Sequence, residues 1–74
     1  VLVIYSKEKC QQCDAAKLLC QMKGVEFEVK KLGTDFSRED ILALAPSARS
    51  FPVVFKGNDL VGGLHQLQQI LGGS

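Results

Sequence analysis

Five consecutive apolar residues, Val1-Leu2-Val3-Ile4-Tyr5, open the chain and narrow what it can fold into more than any other feature. A strand with one wet face alternates apolar and polar residues, whereas an unbroken β-branched run is covered on both faces. Such a strand belongs inside a parallel or mixed sheet with further layers above and below it. The chain has only 74 residues to supply those layers, about half a typical domain. One domain, residues 1–74, is therefore expected. An apolar fraction of 46% suffices for one core, and 23% charged residues is ordinary for a water-soluble fold.

Hydrophobic periodicity divides the rest. From Cys13 to Lys23 the pattern is helical, with Ala15, Leu18, Leu19 and Met22 as the apolar stripe and Ala16 and Cys20 widening it. Gly24 stops this helix, and Lys23 sits favourably in its last turn. Val25 to Lys30 alternates strictly, predicting a half-buried strand with Val25, Phe27 and Val29 inward. Ser37-Arg38-Glu39-Asp40 resembles a capping box. It opens a helix whose apolar face is Ile41, Leu42, Leu44 and Ala45 and which ends at Pro46. Phe51 to Phe55 is a third strand, Lys56-Gly57-Asn58-Asp59 a tight turn, and Leu60-Val61 a short fourth strand. After the Gly62-Gly63 break, Leu64, Leu67, Ile70 and Leu71 mark a last helix, and Gly72-Gly73-Ser74 reads as a frayed tail. The order is β-α-β-α-β-β-α, an α/β fold with a four-stranded mixed sheet and three helices. Strands joined through a helix are expected to be parallel, and the last two to form an antiparallel hairpin.

Charge excludes several classes. Nine Lys+Arg against eight Asp+Glu give a net charge of +1, without a basic stripe. No nucleic-acid partner and no anionic membrane are expected. No apolar run approaches a membrane span, and no signal peptide is visible at the start. The chain begins at Val without a Met, as if a residue or two were missing upstream. Three cysteines, an odd number with one tight pair, suit working thiols in a reducing compartment better than a disulfide scaffold. A cytoplasmic monomer is the expectation.

Cys10-Gln11-Gln12-Cys13 lies between the buried strand and the first helix. Cys10 is therefore at, or one residue before, the helix start, where unpaired N–H groups and the dipole favour an anion. Lys7 and Lys9 add positive charge. These factors favour the thiolate of Cys10, which makes it both an attacking and a leaving group. Cys13, one turn in, falls on the same side, within disulfide reach and more buried. The other use of such a pair is half a zinc site. Zinc needs two further ligands, and only Cys20 and His65 remain, so redox chemistry is preferred and no metal is expected.

Three segments together resemble the signatures of the glutaredoxin family: Tyr5 to Cys13, Arg49-Ser50-Phe51-Pro52-Val53-Val54-Phe55, and Val61-Gly62-Gly63-Leu64. The match runs from Val1 to Leu71. The resemblance implies a thioredoxin-like fold, with Cys10 as nucleophile and Cys13 as resolving thiol. It implies glutathione as reducing co-substrate, in a groove formed by Lys7, Phe51, Pro52, Gly62 and Gly63. In the family the proline is cis, which implies a cis Phe51–Pro52 bond and a Phe51 backbone offered to an extended substrate. Arg49 matches a position that binds the glycine carboxylate of glutathione in relatives; a surface salt bridge is the alternative.

This sequence also departs from the family. The spacer is Gln-Gln where dithiol members usually carry Pro-Tyr, Phe51 replaces a smaller Val, and Leu64, His65 and Gln66 stand where acidic residues meet the glutathione ammonium. The N–H groups around Leu64 and His65 remain available for the γ-glutamyl carboxylate. Cys20 otherwise reads as a small core residue, His65 as a solvated or groove-edge residue, and Tyr5 as strand core.

The expected function is a glutathione-dependent thiol–disulfide oxidoreductase acting on protein disulfides or glutathione mixed disulfides. The first alternative is a redoxin serving ribonucleotide reductase and recharged by thioredoxin reductase, although the Trp-containing signature of such redoxins is absent. The second is a metal or iron–sulfur binding module.

Overall fold

The computed structural model describes residues 1–46 and 51–72. Its elements are β1 (Leu2–Ser6), α1 (Gln11–Lys23), β2 (Phe27–Lys31), α2 (Arg38–Leu44), β3 (Val53–Lys56), β4 (Asp59–Gly62) and α3 (Leu64–Gly72). The β-α-β-α-β-β-α order is the one expected. The sheet runs β2-β1-β3-β4, with β1 parallel to β2 and antiparallel to β3, and β3 antiparallel to β4.

The opening strand is covered on both faces. Leu2 and Ile4 join Ala16, Cys20, Val54 and Leu67 in one core layer, beneath α1 and α3. Val3 and Tyr5 pack on the opposite layer, formed by Phe36, Ile41, Ala45, Val53 and Phe55 beside α2. Tyr5 anchors that layer through edge-on contacts with Phe36 at 5.0 Å and Phe55 at 5.6 Å.

The crossover from β2 to β3 departs from expectation: β3 is not parallel to β2. The chain leaves the sheet after Lys31, which pairs with Ser6, and re-enters at Val53, which pairs with Tyr5. Both points lie at the same end of β1. A strand that re-enters at the end where β2 left runs opposite to both β1 and β2.

The helix faces also differ from the predicted stripes. α1 starts at Gln11, directly after Cys10 as expected, and buries Cys13, Ala16 and Cys20, while Ala15 is exposed and Leu18 and Met22 are 55% and 73% exposed. Leu2, Ile4, Val54 and Leu67 already fill this layer, and the small residues of α1 fit against them. In α2 only Ile41 and Ala45, one turn apart, reach the core, so Leu42 and Leu44 face solvent. Val29 is exposed as well, because β2 is an edge strand and α1 packs chiefly over β1. In α3 Leu67 is fully buried and Ile70 half exposed, and Gly72 continues the helix where a frayed tail was expected. Gly73 and Ser74 lie outside the described residues.

The predicted caps are present. Gly24 has φ 67°, and its N–H bonds to the Cys20 and Gln21 carbonyls. Ser37 Oγ accepts from Asp40 N–H at 3.2 Å, and Asp40 Oδ2 accepts from Ser37 N–H at 3.0 Å.

The packing makes a direct forecast. Leu67→Ala should lower unfolding free energy by about 2–5 kcal/mol, whereas Leu18→Ala should change it by less than about 0.5 kcal/mol. Urea titration of both variants checks the assignment of the α1 and α3 faces.

Candidate functional site

The site begins where β1 ends. Ser6, a buried polar side chain, donates its hydroxyl to the Lys30 carbonyl at 3.1 Å, and its own carbonyl accepts from Leu32 N–H at 2.9 Å. These two bonds hold the end of β1 against β2. Three residues later Lys9 takes φ 55°, turning the chain into α1.

Cys10 is the N-cap of that helix, with extended backbone (φ −114°, ψ 103°). Its Sγ accepts the Cys13 N–H at 3.1 Å, and its carbonyl accepts Asp14 N–H at 3.2 Å. A cap of this kind ties off a first-turn N–H that no intrahelical carbonyl reaches. Cys10 is half-buried, while Cys13 is 1% exposed, and all three cysteines are free thiols.

Burial pushes the Cys13 thiol up, from 9.0 to about 12; its hydrogen bond with Cys10 and the charges of Cys10 and Asp14 add to the rise, and the Lys7 backbone opposes it. Burial also raises the Cys20 thiol. Cys13 therefore holds its proton at neutral pH.

Beside α1 lies a cleft of about 310 Å³. Phe51, Pro52, Gly63, Leu64 and His65 line it, all predicted groove residues, and the Phe51–Pro52 bond is cis. Lys7 joins from the other loop, its Nζ 6.0 Å from the centroid of the Phe51 ring. Phe51 is in turn packed against Phe36 at 6.0 Å, so the cleft wall rests on the α2-side core. Gly62 adjoins the cleft with φ 127°, and a Cβ there would stand 2.9 Å from the Gln66 side chain. Arg49 lies outside the described residues.

Three lining residues were not among the predicted site residues: Gln12, Gln66 and Gln68. Gln66 Oε1 accepts the Gly63 N–H at 3.0 Å, the return half of a capping box. A glutamine three residues after Gly63 was the available signal. His65 Nε2 lies 3.3 Å from Gln69 Nε2, one turn on along α3. Among the described residues no carboxylate lines the cleft.

Cys20 is sealed in the core, and among the described residues no three His, Cys, Asp or Glu side chains gather into a group able to hold a metal. No described helix is long and apolar enough to cross a membrane.

Comparison with known proteins agrees with this geometry. The glutaredoxin family model matches residues 2–61, and the chain belongs to the glutaredoxin family, a family of thiol–disulfide oxidoreductases. A probable glutaredoxin of Synechocystis is 40% identical over 65 residues, covering 86% of this chain. The chain spans 60% of the length of that curated relative. A buckwheat glutaredoxin solved as a glutathione complex superposes with a TM-score of 0.75 at 26% identity, over 97% of this chain and 76% of that one. The glutaredoxin-like NrdH-redoxin of Escherichia coli, described as having a thioredoxin-like activity profile, superposes with a TM-score of 0.72 at 29% identity, over 93% and 92% of the two chains.

The raised Cys13 value makes stability depend on pH. The folded state keeps a proton that the unfolded chain releases from about pH 9, so this contribution is complete below pH 9 and is lost as pH rises towards 12. Between about pH 8.5 and 10, the wild type under reducing conditions should lose on the order of 1 kcal/mol more than Cys13→Ser. Urea unfolding at the two pH values measures the difference.

Proposed function

We propose that residues 1–74 act as one domain that reduces disulfides through the Cys10–Cys13 dithiol, with glutathione as the reductant. One observation carries the reading: a half-buried sulfur caps α1, and a second, buried thiol sits one turn behind it. Charged acceptors bind N–H groups at a helix start more strongly than neutral ones. The Cys13 N–H is thus placed to hold the sulfur of Cys10 when it bears charge during the exchange.

The exchange follows in two steps. The Cys10 thiolate attacks one sulfur of a substrate disulfide, forming a mixed disulfide and expelling the other sulfur as a thiolate, which takes a proton from water. Cys13 then gives up its proton to solvent and attacks Cys10, forming the Cys10–Cys13 disulfide and releasing the second substrate thiol. Two electrons have passed to the substrate. Two glutathione molecules return the pair to dithiol, becoming glutathione disulfide. Burial, and the charge on Cys10 before it reacts, keep the Cys13 proton in place; once Cys10 is bonded to the substrate sulfur that charge is gone, and Cys13 loses its proton more readily to attack.

Glutathione is assigned to the cleft beside Phe51 and Pro52, with Lys7 near one rim, His65 and Leu64 at the other, and the Gly62-Gly63 turn as floor. The glutathione complex of the buckwheat relative supports this placement. A reducing compartment such as the cytoplasm suits three free thiols.

One feature favours a second reading. Among the described residues the cleft offers no carboxylate to an ammonium group, as would suit a redoxin recharged by thioredoxin reductase and serving a protein such as ribonucleotide reductase. The resemblance to NrdH-redoxin supports it.

Turnover assays separate the two. Reduction of a mixed disulfide should proceed with glutathione and glutathione reductase, and activity with thioredoxin reductase alone would overturn glutathione as the reductant. Cys10→Ser should abolish activity with either. Cys13→Ser should leave the substrate covalently held on Cys10, seen as a mass increment that a reducing agent removes.

A further inference from the structure

The turn into α1 holds a lysine where the backbone favours glycine. Lys9, at φ 55°, is the one non-glycine residue with positive φ among the described residues. In that region the Cβ crowds the following carbonyl oxygen, so glycine or asparagine is the usual occupant. Departures of this kind collect at functional sites, where the surroundings hold them.

Neighbouring charges do not explain the choice. Lys7 stands over the Phe51 ring, Lys31 pairs with Glu8 at 3.5 Å, and Lys17 pairs with Asp14 at 3.1 Å. Lys9 is exposed and has no ion-pair partner among the described residues. An unneutralised cation thus precedes the capping sulfur by one residue, beside the positive end of α1.

We infer that Lys9 is a specificity-determining residue that favours disulfides carrying a carboxylate next to the reacting sulfur. The inference rests on Cys10 being the attacking sulfur, as proposed above. When the Cys10 thiolate bonds to such a disulfide and the old S–S bond breaks, the incoming and departing fragments both bring negative charge to a sulfur that is already negative. A cation one residue away offsets that repulsion, and its flexible stem lets it come within the screening distance of about 8 Å at physiological ionic strength. The effect is one of attraction on approach and weakens in salt. Acidic residues flanking a protein cystine and the carboxylates of glutathione present the same chemistry.

The test compares two small disulfides reacting with the reduced protein: dianionic 5,5′-dithiobis(2-nitrobenzoate) and neutral 4,4′-dithiodipyridine. The ratio of their rate constants cancels any general change in Cys10 reactivity. In Lys9→Gly this ratio should fall about 2–5-fold at low salt, and in about 1 M salt it should match the wild type. Lys9→Arg should keep the ratio, and Lys9→Asn, which also tolerates the turn, should lose it. The melting temperature of Lys9→Gly should rise by a few degrees as the backbone relaxes.

Oxidised glutathione and a peptide disulfide flanked by glutamates then identify the source. A loss confined to one assigns the carboxylate to that class, and a loss on both supports the charge as a general selector. An unchanged ratio in both Lys9→Gly and Lys9→Asn overturns the inference. If Cys10→Ser kept the fast reaction, the attacking sulfur itself would be wrongly assigned, a separate failure.

Discussion

At the start of α1 a sulfur takes the place that an oxygen usually fills. Ser, Thr, Asp and Asn lead at the N-cap because their oxygen accepts a first-turn N–H. Here Cys10 Sγ accepts the Cys13 N–H at 3.1 Å. The helix end and the proposed attacking group are thereby the same atom. Because the donor belongs to Cys13, the bond that completes the helix also fixes the spatial relation between the two thiols. Their unequal burial follows, one on the rim of the helix and one beneath it, and the proposed exchange depends on that inequality.

The cap can do this only if the loop before it is held. Ser6 ties the end of β1 to β2, and β1 itself is gripped from both sides, by Leu2 and Ile4 on one face and by Val3 and Tyr5 on the other. The second face reaches further than the strand. Tyr5 packs on Phe36, Phe36 on Phe51, and Phe51 lies under the Lys7 ammonium. This aromatic series carries the α2-side core to the wall of the cleft. Loss of packing around Phe36 would therefore move the cleft wall as well as loosen the core.

Much of this was legible in the residues. An unbroken apolar run required cover on both faces, and Cys10 was placed at the helix start because a strand and a helical pattern flank it. Gly24 and the Ser37–Asp40 box each announced a terminus through chemistry local to a few residues. What escaped depended on partners distant in sequence. Leu18 and Met22 are more apolar than Ala16 and Cys20, yet the smaller pair faces inward because Ile4, Val54 and Leu67 occupy the layer. The direction of β3 was hidden because it depends on which end of the sheet the chain re-enters. Gln66 was passed over because its part is a hydrogen bond to Gly63, visible only once the helix start is known.

The three cysteines show how far position alone separates like side chains. Cys10 and Cys13 are three residues apart at a helix start, neighbours on one side of the first turn, with Cys10 Sγ accepting the Cys13 N–H at 3.1 Å. Cys20 is seven residues beyond Cys13 in the same helix, roughly 10 Å along its axis, too far for a disulfide that needs Cα atoms within about 7 Å. It is also fully buried in the α1–α3 layer, and that burial makes its proton harder to remove. The geometry that exchange requires is not met at Cys20. The same residue type thus serves at the cap as a hydrogen-bond acceptor, one turn on as a buried thiol, and two turns further as a small apolar filler.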